Sequence, residues 1–446
     1  MKKFKIKDRK EFIFLLILIS IFFVFGIYLI FRIEEGIAPD EGYHIHAAKV
    51  FSKTILIPEN LEENLALGDI TREPYLAHWL NGRVLNLNFI QVPDYIILRF
   101  FNLAISVGSL LVVYLISKEI INKKYFNLIP VFLLSNTLMF AFLSSAVSYD
   151  NLSNFLIYLT FYFLIKHFKY KDTPSLIYLI IFQSLSTLTK ITALPVVFIE
   201  VLILIYYFIK SKDLKSVLEE AYKRHKVILV LMLVSLLLVF LLYGVNLIKY
   251  GQIQVSCDKV MTVEQCMNNF VYSRNRTLEN YTITNFSELK ALMRSRLSPI
   301  QYFFNWLVIM FQSIHGVHGH TYVFMDIYMV NIYIALYAIL TFITIRKWKR
   351  THKIESRLIL ITLFYTFILL FFKNYSSYIK HNYFRLALQG RYIFPVLPII
   401  YILFIRYLSI LKSKWLKLLL LFILCMTFLL GGIPYFFSSI LILLVK

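Results

Sequence analysis

Cysteine, charge and acidic residues are all in short supply, and each shortage excludes something. Three cysteines among 446 residues exclude a disulfide scaffold. Charged residues make up 16% of the chain and hydrophobic ones 59%, and a soluble globule of this size has no use for so much apolar surface. Acidic residues number 25 against 47 Lys and Arg, a formal net charge of +22. That excess would suit nucleic acid if it formed a patch. Instead the basic residues cluster in short loops between apolar runs, which is the positive-inside pattern of a membrane protein, so nucleic acid is set aside as a partner. The short alternating segments of a transmembrane barrel are missing. So is a small-residue cleavage site after the first apolar run, which is expected to stay as an anchor. Glycine and proline are scarce too, a bias that carries no function of its own.

What is present is a series of apolar runs of about 20 residues. They predict an all-α, polytopic transmembrane helical bundle of about 11–12 spans, forming a single integral-membrane domain over residues 1–446. Lys2, Lys3, Lys5, Lys7, Arg9 and Lys10 place the N-terminus in the cytoplasm. The first span covers about Phe12–Phe31. Residues 33–92 then form a first, acidic extracytoplasmic loop with two interfacial helices, one from near Asp40 and one over about Pro74–Leu87. Spans follow near Asp94–Ser117, Phe126–Ser145, Leu152–Ile165, Ser175–Leu188, Leu194–Ile209 and Val227–Leu247. Residues 249–322 form a second extracytoplasmic loop, in which Pro299–Ile314 reads as a re-entrant helix, since a full span there would invert everything downstream. Further spans lie near Val323–Ile345, Leu358–Phe372 and Tyr392–Leu408. The last apolar stretch, broken at Gly431-Gly432-Ile433-Pro434, is one span or two. The basic loops Lys118–Lys124, Lys166–Lys171, Lys210–Lys226, Arg346–Arg350 and Lys412–Lys417 all fall on the cytoplasmic side of this count. No internal repeat is evident. The expected location is the plasma membrane, with the site on the extracytoplasmic face.

That topology gathers several polar groups on the outer side. Pro39-Asp40-Glu41-Gly42-Tyr43-His44 follows directly on the first span. Ionisable groups at a membrane face are costly and tend to be functional. Asp40 equally fits a helix N-cap with Glu41 in the first turn, and local sequence does not choose between the two. Asp40 and His44 are four residues apart and share a helix face, which suits a carboxylate–imidazole pair or half a metal site. An unpaired interfacial carboxylate drifts up in pKa, as a general base requires. Asp150 follows the third span. Lys190 sits in the outer turn between the fifth and sixth, and Arg391 opens a late span beside Gly390. Both cations run against the charge rule and suit a clamp on a lipid phosphate, Arg as a fork and Lys as a point charge; snorkelling is the alternative. His315, His318 and His320 share one Gly-rich stretch and are alternative metal ligands. Cys257 and Cys266 lie in the second outer loop, where an oxidising compartment favours a disulfide. Asn275, Asn280 and Asn285 sit in short glycosylation triplets.

At these residues the chain resembles the integral-membrane glycosyltransferases of the GT-C type. Within them it is most similar to the protein-mannosyltransferase-like group and to prokaryotic membrane proteins with a Pro-Asp-Glu-x-x-His signature. The matching segments are Pro39–His44, Ser148–Asn154, Leu188–Leu194 and Gln389–Pro395. The resemblance implies transfer of a sugar from a polyprenyl-phosphate-linked donor to an acceptor at the extracytoplasmic face, with inversion. The acceptor would be a lipid-linked glycan, a lipid or a protein. It assigns catalysis to Asp40, with Glu41 secondary. It assigns donor phosphate binding to Arg391 and Lys190, with His44, Asp150, Tyr392 and His318 in support. It leaves room for a divalent cation, Mg or Mn, with Asp40, Glu41 and His44 as candidate ligands, and implies no other cofactor. The lack of a soluble C-terminal domain argues against transfer of a preassembled glycan to protein. Two alternatives stand beside this reading. One is a polysaccharide polymerase or ligase acting on lipid-linked glycans. The other is a secondary transporter, which would place its ionisable groups at the midplane between inverted repeats.

Overall fold

The computed structural model describes residues 9–58, 72–278, 296–319, 322–348, 353–386 and 388–441. The architecture is helical, as the apolar runs require. Seven helices among the described residues are long and apolar enough to cross a bilayer. The first is α1 (Arg9–Arg32). Two short helices follow, α2 (Glu41–Ser52) and α3 (Leu76–Leu85), and then the long α4 (Asp94–Ile120).

The third apolar run is not one straight helix. It divides into α5 (Ile129–Ser135) and α6 (Leu138–Ser144), and the pair bends by 69°. No glycine or proline sits at the break. Three consecutive polar side chains cause it: Ser135 and Asn136 donate to the Phe132 carbonyl at 3.0 Å, and Thr137 to the Leu133 carbonyl at 2.9 Å. Side chains that bond the preceding turn compete with the helix ladder and bend it.

Next come α7 (Tyr149–Tyr170) and α8 (Thr173–Thr189), which pack along each other, then α9 (Ile191–Ser211) and the amphipathic α10 (Leu214–Arg224). The chain continues through α11 (Lys226–Tyr250). In the following loop Cys257 and Cys266 are joined in a disulfide. Asn275 is described there on a short helix, while Asn280 and Asn285 lie outside the described residues.

The helix α12 (Pro299–His315) starts at a capping box between Ser298 and Gln301. At about 1.5 Å per residue its 17 residues fall short of the roughly 30 Å of a bilayer core. A two-stranded antiparallel ribbon follows, β1 (Val317–His318) and β2 (Tyr322–Val323), with Val317 opposite Val323. The bundle closes with α13 (Ile327–Trp348), α14 (Lys353–His381), α15 (Leu397–Ser409) and α16 (Lys414–Ile440). α14 runs well past the expected end at Phe372 and takes up part of the expected outer loop. Trp306 Nε1 donates to Asn374 Oδ1 at 3.0 Å, which docks α12 onto it.

α7, α8 and α15 are shorter or more polar than the other crossings and lie inside the bundle. Seven helices, or eight with the bent pair as one, are long and apolar enough to cross among the described residues, fewer than the 11–12 expected. The flanking helices expose their apolar faces instead, through residues such as Val24, Ile205, Leu231 and Phe422. Apolar surface on that scale belongs against lipid. Both ends of the bundle are tied by side chains. At one end, Lys169 meets Glu119 at 2.8 Å and Arg406 meets Glu355 at 3.1 Å. At the other lies the site described next.

Candidate active site

The site is built from the two adjacent carboxylates, which face opposite ways. Glu41 is wholly buried. Its Oε1 accepts from Arg99 Nε at 2.8 Å and from the Val147 amide at 3.0 Å. Its Oε2 accepts from Arg99 Nη2 at 2.8 Å and from the Gly36 amide at 3.0 Å. Arg99, also fully buried, spends its other donors on the carbonyls of Ile30, Ile33 and Glu34, at 2.7–3.0 Å. This clasp joins the end of α1, the middle of the Gly36 turn, α4 and the approach to α7. Glu41 is therefore not a second catalytic carboxylate, as the resemblance implied. All its oxygens are spent on structure, and it does not reach the site.

Asp40 adopts a left-handed backbone, φ 59° and ψ 13°, and makes no side-chain cap bond to α2. The helix-cap alternative is thus excluded. An aspartate in this region of backbone space is uncommon and marks a constrained turn. The turn aims the side chain at Arg391, whose Nη2 donates to Asp40 Oδ2 at 2.5 Å. Asp40's side chain stays 51% exposed, while Arg391 is 1% exposed. Burial pushes the Asp40 carboxyl up, but Arg391 outweighs it, with help from Lys190, and holds it at about 2. The expected upward drift is thereby reversed, because Asp40 is not unpaired.

Arg391 lies on a 3-10 turn, Gly390–Ile393, ahead of α15. Gly390 is obligatory there, though not for a ligand: a Cβ would fall 2.5 Å from the Ile314 amide nitrogen at the end of α12. Two tyrosines pin the turn. Tyr365 donates to the Tyr392 carbonyl at 2.6 Å and Tyr158 to the Phe394 carbonyl at 2.8 Å. Arg391 also faces Asp150, Nη1 to Oδ2, at 3.4 Å. Burial works against its charge, but the two carboxylates more than offset that and keep it cationic. Its Nε and Nη1 still lack a hydrogen-bond partner.

Asp150 sits in the first turn of α7 behind the N-cap Ser148. Its other oxygen pairs with Lys190, the C-cap of α8, and both side chains are buried. The Lys190 ammonium lies over the rings of Tyr149 and Tyr392, 4.4 and 5.0 Å from their centres. The result is an alternating chain of charges, Asp40, Arg391, Asp150 and Lys190, in which only Asp40 opens outward.

His44 projects from α2 beside this chain. Its Nδ1 is 2.9 Å from Nε2 of His78 on α3, and Tyr149 packs on its ring at 4.5 Å. Both imidazoles are buried. Burial above all pushes His44 down to about 3 and His78 well below the usual histidine range, so the pair is neutral. Gly82 allows the close approach of α3 to α2, since a Cβ there would lie 2.8 Å from the Ser52 amide nitrogen.

Asp40, Arg391, Asp150, Lys190, His44 and Tyr392 thus converge, as the topology expected. Other candidates do not. His315 is buried against Tyr333, ring centres 3.6 Å apart, and both its nitrogens lack a partner, so aromatic packing accounts for it. His318 lies on β1, with its side chain outside the described residues, and His320 is outside them altogether. Asp40, Glu41 and His44 do not form a metal centre, because Glu41 turns away to Arg99. Among the described residues no group of three or more His, Cys, Asp or Glu is arranged to hold a metal. His78 and Arg99 escape a sequence reading. A lone histidine on an amphipathic run carries little signal, but an arginine five residues into an apolar span is a flag in itself.

This fold is that of the GT-C type membrane glycosyltransferases. ArnT from Cupriavidus metallidurans bound to undecaprenyl phosphate matches with a TM-score of 0.52 at 14% identity, over 91% of this chain and 62% of that one. The Archaeoglobus fulgidus oligosaccharyltransferase tethered with an acceptor peptide matches with a TM-score of 0.51 at 12% identity, over 94% of this chain and 54% of that one. The archaeal oligosaccharyltransferase AglB from Archaeoglobus fulgidus, in complex with an inhibitory peptide and a dolichol-phosphate, matches with a TM-score of 0.50 at 12% identity, over 95% and 56%. The likeness is one of fold, and the chain spans little more than half the length of these proteins. No curated protein matches the sequence. The chain belongs to the family described as "Predicted membrane protein (DUF2142)", whose model matches residues 75–400.

Proposed function

We propose that this protein is a membrane glycosyltransferase that moves a sugar from a polyprenyl-phosphate-linked donor to an acceptor hydroxyl at the extracytoplasmic face. The observation that carries the reading is the Asp40–Arg391 pair: a half-exposed carboxylate held by a buried guanidinium that still has unused donors. The fold supports it, since ArnT and AglB in the solved structures hold undecaprenyl phosphate and dolichol-phosphate. The sidedness follows from charge, because Lys and Arg flank the opposite end of the bundle.

The reaction is a single displacement. The acceptor oxygen bonds to the anomeric carbon as the bond from that carbon to the lipid phosphate breaks, and the acceptor proton passes to Asp40. Asp150 is buried between Lys190 and Arg391, which leaves Asp40 as the accessible carboxylate of this cluster among the described residues. With one carboxylate and no second nucleophile, the outcome is inversion. Arg391 and Lys190 stabilise the charge that builds on the departing phosphate.

The low basicity of resting Asp40 fits this scheme through competition for Arg391. A donor phosphate engaging the free Nε and Nη1 draws the guanidinium from Asp40. Losing that partner raises the carboxylate's affinity for a proton. The base is thereby armed only when the donor is in place. The test is transfer of labelled sugar from a polyprenyl-phosphate donor in reconstituted membranes. Asp40→Asn should lower turnover by about 10²–10⁴-fold while donor binding is kept or tightened, since the competitor for Arg391 is gone. Near-normal turnover would overturn the assignment.

A further inference from the structure

At the end of the bundle opposite the candidate active site, two ammonium groups converge on one oxygen. Lys123 follows the end of α4, and its Nζ donates to the Ser409 carbonyl at 2.5 Å. Lys417, in the first turn of α16, donates to the same carbonyl at 3.3 Å. Ser409 is the last residue of α15. A lysine on the final carbonyl of a helix is an ordinary cap, and the partial negative charge there suits one cation. It does not neutralise two. Neither lysine meets a carboxylate among the described residues; the other contact of Lys123 is the ring of Phe126, 5.6 Å from its centre. Burial, Lys417 and Arg406 together push the Lys123 ammonium below the ordinary lysine range. The nearby carboxylate of Glu355 is engaged by Arg406 at 3.1 Å.

Two features say what anion suits this pair. The first is number. Each ammonium carries three donors, and the two share a single oxygen, so the several acceptor oxygens of a phosphate fit them well. The second is depth. Trp415, in the same turn as Lys417, is 84% exposed, and exposed indoles gather at the boundary between lipid and water. Leu416, Leu418 and Leu419 beside it are exposed too and belong against lipid tails. The lysines therefore stand at headgroup level, where basic pockets between helices collect anionic lipid.

We infer that Lys123 and Lys417 form a binding site for the phosphate of an anionic lipid, gripped between α4, α15 and α16 in the leaflet opposite the active site. The inference is independent of the transferase reading. α4 carries Arg99 near its other end, and α15 follows the Arg391 turn. The lipid thus braces, from the far side, the two helices that hold the clasp and the site.

The test titrates lipid into the full-length protein, purified and stripped of its own lipid, and reads binding by native mass spectrometry. Phosphatidylglycerol should bind about tenfold or more tightly than phosphatidylcholine, whose choline offsets its phosphate. Lys123→Gln with Lys417→Gln should abolish that preference, each lysine being worth about fivefold. A control pair on α10, Lys215→Gln with Lys223→Gln, removes two exposed lysines from the same end of the bundle and should keep it. Equal losses in the two pairs would mean a diffuse surface field and overturn the inference, as would a wild type without preference. Inorganic phosphate, added as competitor, should leave the lipid bound; displacement would give the site to a soluble anion instead. Thermal midpoints separate a site from a cap. Without lipid, Lys417→Gln should hold or raise the midpoint, because repulsion is relieved and Lys123 still caps Ser409. A fall would make the pair structural and overturn the inference. Phosphatidylglycerol should raise the midpoint of wild type and not that of the double variant.

Discussion

Asp40 and Glu41 are neighbours in the chain, and each meets an arginine that is buried. The surroundings of the two pairs differ completely. Around Glu41 and Arg99 every donor and every acceptor is used, and no part of either side chain reaches solvent. Around Asp40 and Arg391 the accounts stay open: the carboxylate is half exposed and two guanidinium nitrogens have no hydrogen bond. A buried polar network with all its valences filled fixes a structure. One left incomplete, next to a surface, can receive something else. The contrast therefore separates the scaffold from the site at single-residue resolution.

Substitution at the two carboxylates breaks the comparison most directly. Asp40→Asn should cost about 10²–10⁴-fold in turnover and leave the melting temperature in detergent nearly unchanged. Glu41→Gln should do the reverse. It leaves Arg99 charged and uncompensated in the interior, which costs about 3–5 kcal/mol. A fall in thermal midpoint, partly relieved by adding Arg99→Met, is the readout. Equal effects of the two changes on turnover would mean that the clasp and the site are one unit.

Acid sharpens the comparison on the exposed side. His44 and His78 are held neutral by burial, with His44 at about 3, whereas an unfolded chain takes up a proton near pH 6.5. Their contribution is fully present above that pH. It declines as pH falls toward 3, by about 1.4 kcal/mol per pH unit for each ring. The thermal midpoint should drop between pH 7 and pH 5, and His78→Gln should flatten the slope. A slope left unchanged by His78→Gln would place the acid response elsewhere. The smallest effect belongs to Tyr365→Phe. It removes one hydrogen bond to the turn that carries Arg391, worth about 1 kcal/mol. Donor KM should rise by about fivefold with the fold intact, and Tyr158→Phe should behave alike.

Much of this was legible in the sequence for one physical reason. Charges are rare at bilayer faces, so Asp40, Asp150, Lys190 and Arg391 stood out once the basic loops had fixed which end was which. The longest apolar spans were equally plain, since length and apolarity leave little choice in a bilayer, but the shorter α8 and α15 do not meet that test. What stayed hidden depends on direction, not position. Hydropathy places Asp40 and Glu41 together and cannot say that one turn of backbone sends them apart. It cannot tell an imidazole paired with another from one solvated, which is why His78 went unread, or a histidine among aromatics from a ligand, which is why His315 was overrated. The 69° bend of α5 and α6 had a signal, Ser135-Asn136-Thr137, but polar triplets within spans also occur without a bend.

The left-handed backbone at Asp40 narrows the alphabet available there. Few L-residues enter that conformation cheaply: glycine without cost, asparagine and aspartate at a small one. Of these, aspartate alone brings a carboxylate. Glutamate supplies the charge but resists the turn, and asparagine accepts the turn but lacks the charge. Two independent demands, one conformational and one electrostatic, thus meet in a single side chain. A saturation library at this position should sort into three groups: folded and active for aspartate, folded and silent for asparagine and glycine, and poorly folded for the β-branched residues, which cannot follow the chain around the corner.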